Sequence, residues 1–117
     1  MSYVDGFVCA VPVENKEKYI EHAKISAVVF KDNGALKVVE NWADDVPDGE
    51  VTSFPLAVQC KEGERVVFSW VVWESKEARD KGWAGLMEDA RMSPENNPMP
   101  LDGKRLIYGG FDTILES

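Results

Sequence analysis

Arg65-Val66-Val67-Phe68-Ser69-Trp70-Val71-Val72-Trp73 is the stretch on which the reading of the fold turns. It is β-branched and aromatic almost throughout, which suits a pleated, packed strand. Alternation puts Val66, Phe68, Trp70 and Val72 on one face and Val67, Val71 and Trp73 on the other, so both faces are apolar. Just before it, Lys61-Glu62-Gly63-Glu64 reads as a tight turn and Phe54 to Cys60 as a strand, predicting a hairpin.

Outward from this hairpin the chain alternates cleanly. Residues 3 to 11 predict a first strand, with Val4, Val8 and Ala10 on one face, Tyr3, Phe7, Cys9 and Val11 on the other, and Pro12 as its end. Asn15 can cap a helix over 16 to 32, whose stripe Tyr19, Ala23, Ala27 and Phe30 recurs every three or four residues; Asn33-Gly34 is a left-handed stop. Ala35 to Ala43 predicts a second strand, and Asp44-Asp45-Val46-Pro47-Asp48-Gly49 a loop. Ser75 caps a second helix over about 76 to 90, in which Gly82 and Gly85 imply close approach, to the sheet or to a ligand. Arg91 to Lys104, broken by Pro94, Pro98 and Pro100, is an irregular stretch of the kind that forms a lid or arm. Arg105 to Leu115 predicts the last strand, bent at Gly109-Gly110.

Strand, helix, strands, helix, strand is the split βαβ plan. The expected fold is α+β, a ferredoxin-like antiparallel sheet with two helices on one face. With 117 residues and neither a repeat nor a linker, residues 1–117 are expected to form a single domain. Two helices can cover only one face of the sheet. The apolar second face therefore predicts a partner, most economically another copy of the chain, and so a homodimer.

Composition narrows the partners. Hydrophobic residues make up 44% and charged residues 29% of the chain, as in ordinary globular proteins. Acidic residues outnumber basic ones 21 to 13, and the net charge of -8 disfavours nucleic acid and anionic membranes. Met1-Ser2-Tyr3-Val4-Asp5-Gly6 has neither a basic nor an apolar leader segment, so a cytoplasmic location is expected. Cys9 and Cys60, both in predicted strands, read as buried thiols and not as a disulfide.

Several stretches also carry a resemblance. Tyr3-Val4-Asp5-Gly6-Phe7, Val66-Val67-Phe68-Ser69-Trp70, Ser75-Lys76-Glu77-Ala78-Arg79-Asp80, Met99-Pro100-Leu101-Asp102-Gly103-Lys104-Arg105 and Ile107-Tyr108-Gly109-Gly110-Phe111 resemble the YbaA-like bacterial family of unknown function, along essentially the whole chain. The resemblance implies a fold similar to the dimeric α+β barrel superfamily. That superfamily holds cofactor-independent monooxygenases, haem-degrading enzymes, dehydratases, isomerases and proteins that only bind, so it assigns no reaction. None of those enzymes' motifs is matched residue by residue. No catalytic residue is carried over and no cofactor is implied.

The residues themselves offer candidates. His22, the single histidine, lies about 60° from Tyr19 on a helical wheel, at the border of the buried stripe, where a general base could reach a cleft between helix and sheet. A half-exposed histidine without a task is the plain alternative. Glu40 and Trp42 share a strand face, and a carboxylate there must find a partner or shift its pKa. Trp70, Tyr108 and Arg105 on neighbouring strands are the expected lining of a pocket, with His22 or Arg91 at its rim; core packing and loop anchoring are the structural alternatives for these residues. The carboxylates of the 44–49 loop do not have EF-hand spacing, and no metal site is expected. The chain is thus expected to bind a small organic molecule between sheet and helices. The alternatives are a non-catalytic interaction protein that uses its sheet face to dimerise, and a cofactor-independent monooxygenase or isomerase.

Overall fold

The computed structural model describes residues 2–117. β1 (Tyr3–Pro12) leads through a short 3-10 turn into α1 (Lys16–Asp32); then come β2 (Lys37–Trp42), the one-turn helix α2 (Phe54–Ala57), β3 (Glu64–Trp73), α3 (Lys76–Glu88) and β4 (Ile107–Asp112). The four strands form one open antiparallel sheet in the order β2-β3-β1-β4. β3 and β1, the longest and most apolar strands, occupy its centre. The fold is α+β.

The predicted hairpin partner 54–60 is not a strand. Pro55 removes a ladder donor and sets the first helical turn, and the Ser53 hydroxyl accepts the Leu56 amide at 3.1 Å. β3 pairs with β2 instead, from Lys37 opposite Val72 to Trp42 opposite Val67. Cys60 consequently lies in a loop and is only half-buried, whereas Cys9 is buried in β1. Asn15 precedes α1 without capping it, because its amide donates to the Pro100 carbonyl at 3.1 Å. Ser75 does cap α3, accepting from the Ala78 amide at 3.1 Å. β4 is shorter than predicted, since Asp102 accepts the Lys104 amide and winds Gly103–Arg105 into a 3-10 turn.

Strand alternation assigns every side chain to a face. Tyr3, Asp5, Phe7, Cys9 and Val11 of β1 point toward α1 and α3, as do Val67, Ser69, Val71 and Trp73 of β3. The core beneath the helices joins Tyr3, Val29, Phe30, Val71, Trp73 and Leu86. Gly82 and Gly85 bring α3 against the rest of this layer: a Cβ at Gly82 would strike the Trp73 ring and one at Gly85 the Asn33 side chain. Close packing, not ligand approach, explains both.

One carboxylate ties this layer together. Asp5, 4% exposed, accepts Trp73 Nε1 at 2.9 Å, Trp83 Nε1 at 2.8 Å and Arg79 Nε at 3.0 Å. Arg79 also lies over the Tyr3 ring, 5.1 Å from its centroid, in space that a side chain at position 110 would fill. Gly110 is thus a requirement of packing, and β4 runs through it as regular strand.

The opposite face is open. α2 covers only one end, where Val58 packs on Ala10 and Val66 and Phe54 lies 5.7 Å from Phe68 between ring centroids. Elsewhere Phe68, Ile107 and Phe111 stay 42%, 44% and 57% exposed, and the molecule is a slab 38 × 37 × 21 Å, thin across the sheet. Among the described residues no helix is long and apolar enough to cross a membrane.

Candidate functional site

A cavity of about 440 Å³ lies between the sheet and α1. Its floor follows from the register: Glu40 of β2, Ser69 of β3 and Phe7 of β1 form one cross-strand row on the helix-facing side, flanked by Cys9 and Val71. Tyr19, His22, Ser26 and Phe30 form the roof, three or four residues apart along α1. Trp83 of α3 closes one side. The irregular segment after α3 closes another with Met92, Asn97, Met99 and Leu101.

That segment, predicted as a lid or arm, is a strap fastened to α1. If Asn97 is oriented so that its amide nitrogen donates to Ser26 Oγ at 3.0 Å, its oxygen faces His22 Nδ1 at 2.8 Å; the Ser26 hydroxyl in turn donates to the His22 carbonyl at 2.9 Å. The three bonds close a ring in which His22 carries its proton on Nδ1 and donates it to Asn97. Burial pushes the His22 pKa down, only partly offset by the Asn97 bond, so the imidazole is held neutral.

At the floor, the buried Tyr19 hydroxyl donates to Glu40 Oε1 at 2.6 Å. Glu40 itself sits where the cavity opens to solvent at the β2 edge. Partial burial raises its pKa, offset by the bond from Tyr19 and, more weakly, by the Ser69 hydroxyl. Burial together with the Glu40 charge raises the Tyr19 phenol as well, and the same two effects push the Cys9 thiol up to about 12. Cys9 is therefore an inert thiol and not a nucleophile. Among the described residues no group of three or more His, Cys, Asp or Glu side chains is arranged to hold a metal ion.

Of the residues singled out in the sequence, the cavity gathers His22 and Glu40. Trp42, on the same face as Glu40, packs beside Cys9, Val11 and Tyr19, with Lys16 Nζ 5.2 Å from its ring centroid. Trp70 cannot join them: it alternates with Ser69 and faces the open side of the sheet. Tyr108, on edge strand β4, is 76% exposed and borders the open-face groove. Arg105 is consumed by a bidentate pair with Glu64, at 2.8 Å on both nitrogens, and by Asp102 and the Gln59 carbonyl. Arg91 is held at the surface by Asp89 and Asp32. Trp70 and Tyr108 thus meet at the open-face groove and not beneath α1, and Arg105 lines neither that groove nor the cavity.

Tyr19, Ser69 and Asn97 were not singled out as site residues. Ser69 did carry a signal, as the one polar residue among Val67, Val71 and Trp73 on the inward face of β3. Asn97 carried none, because its burial depends on how the strap folds back.

Comparison with known proteins places the chain among bacterial relatives. It is 53% identical over 116 residues to the protein named "Uncharacterized protein YbaA" of Escherichia coli strain K12, covering 99% of both chains. The Shigella flexneri protein of that name matches at the same identity and coverage. Residues 2–103 match the family described as "Protein of unknown function (DUF1428)", and with both findings agreeing along the chain, it belongs to that family.

Proposed function

We propose that the protein is a homodimeric, ferredoxin-like α+β barrel that binds a small organic molecule in the cavity beneath α1. The observation that carries the reading is the cavity itself. About 440 Å³ falls within the range of small-ligand sites, and mostly apolar walls with a few convergent polar groups are how such sites are built. Binding is favoured over nucleophilic catalysis because the Cys9 thiol stays protonated.

The dimer is supported by the shape of the open face. Val39, Trp70, Gly6 and Gly109 form one cross-strand row there, so a bulky indole stands beside two positions with no side chain. The resulting groove, about 480 Å³, is walled by Val4, Val8, Phe68, Ile107 and Phe111. A two-fold axis over this face would seat each Trp70 in the glycine trough of the other copy. Such a knob beside its own socket suits a second copy of the chain more than an unrelated partner.

The test is NMR on labelled protein against a library of uncharged, cationic and anionic small organics. A ligand is expected to move the Trp83 indole and Tyr19 signals and to leave Trp70 in place. A library without any such response, or responses confined to Trp70, would overturn the site. Sedimentation at micromolar concentration is expected to show a dimer, and Gly6→Val a monomer that remains folded, since a Cβ at position 6 meets nothing within 4 Å. A wild-type monomer would overturn the dimer.

A further inference from the structure

We infer that the molecule the cavity takes is an organic cation: an aromatic or aliphatic body carrying a protonated amine that pairs with Glu40. The inference rests on the cavity reading above and adds the ligand's charge to it. Glu40 is the only acidic side chain in the lining, and the lining has no lysine or arginine. Among the described residues no ion pair reaches Glu40 within 4.0 Å. Lys16, one turn before Tyr19 on α1, stands over the Trp42 ring instead. Two more deeply buried carboxylates on the strands each have an arginine: Asp5 has Arg79 and Glu64 has Arg105.

The remaining walls point the same way. Phe7, Phe30, Tyr19 and Trp83 present aromatic rings to the space, and aromatic faces attract cations and not anions. His22 is neutral and its Nδ1–H is spent on Asn97, so no positive group waits for an anionic head. A carboxylate or phosphate ligand would lie against Glu40 with nothing to balance it, at a cost that the apolar walls do not offset. The net charge of -8 draws cations toward the molecule and slows the approach of anions.

Three near-isosteric probes separate the possibilities: 4-phenylbutylamine, 4-phenylbutanol and 4-phenylbutyrate, each titrated into the full-length protein by calorimetry at neutral pH. The amine is expected to bind at least about tenfold more tightly than the alcohol, the gain of one charge-assisted pair, and the acid more weakly than either. Glu40→Gln, isosteric and at a solvent-facing position, is expected to bring amine affinity to within about twofold of the alcohol and leave the alcohol unchanged. If the alcohol or the acid binds as tightly as the amine, or if Glu40→Gln leaves amine binding intact, the cation is refuted while the cavity stands. No binding by any of the three refutes the cation too, and the library screen then decides the cavity by itself.

Discussion

Asp5 and Glu40 are carboxylates on the same face of the same sheet, two strands apart, and they have opposite surroundings. Asp5 receives two indole N–H groups and an arginine and is sealed under α3. Glu40 receives a tyrosine hydroxyl at 2.6 Å, lacks a cation and opens to solvent through the cavity. A charge buried among matched donors holds a fold together, because each partner would be stranded without it. A charge left short of partners at the mouth of an apolar cavity adds little to the fold and is available to something from outside. The contrast separates a structural acid from the one we propose as functional, without reference to any reaction.

The contrast is broken most severely at Asp5. Asp5→Ala strands the Arg79 guanidinium and two indole donors, and is expected to cost about 3–5 kcal/mol in urea unfolding. A loss under about 1 kcal/mol would mean that Asp5 is not the tie between α3 and the sheet.

Glu64 is an intermediate case, paired like Asp5 but near the surface. The Arg105 bonds hold its carboxyl at about 2, against 4.5 for an ordinary glutamate. A pKa depressed by folding gives stabilisation that is complete above about 4.5 and is lost as pH falls toward about 2. Wild-type protein is therefore expected to exceed Glu64→Gln in stability at neutral pH, with the gap closing through that window. A gap that stays constant down to pH 2 would show that the pair is not responsible.

The smallest effect is expected at Glu40. Glu40→Gln keeps the shape and an acceptor for Tyr19, so unfolding free energy is expected to stay within about 0.5 kcal/mol of wild type. A loss as large as that of Asp5→Ala would make Glu40 a structural acid and erase the distinction.

How far the sequence reaches follows the same division. β1, α1, β2, β3 and α3 were legible because alternation, helical stripes and the Ser75 cap are local signals that agree with their tertiary setting. The 54–60 segment misled because Phe54, Leu56 and Val58 alternate like a strand, while Ser53 and Pro55 quietly set a helical turn. Glu40 and His22 were visible as residues out of keeping with their faces. Their neighbours were not: pairing Glu40 with Tyr19 requires the cross-strand register and the seat of α1, and Asn97 becomes a roof residue only when a proline-rich strap without periodicity folds over the cavity. Trp70 could not be assigned to the open side of the sheet because both faces of β3 are apolar, which leaves composition unable to say which face α1 covers.

The ring joining His22, Asn97 and Ser26 has a kinetic consequence. It fastens the strap by bonds that the proposed ligand, passing Glu40, would not need to disturb, so loading the cavity and lifting the strap would be separate events with separate clocks. Affinity would then be read at the Glu40 mouth. The residence time of anything too wide for that mouth would instead be set by how often a neutral histidine lets go of an asparagine.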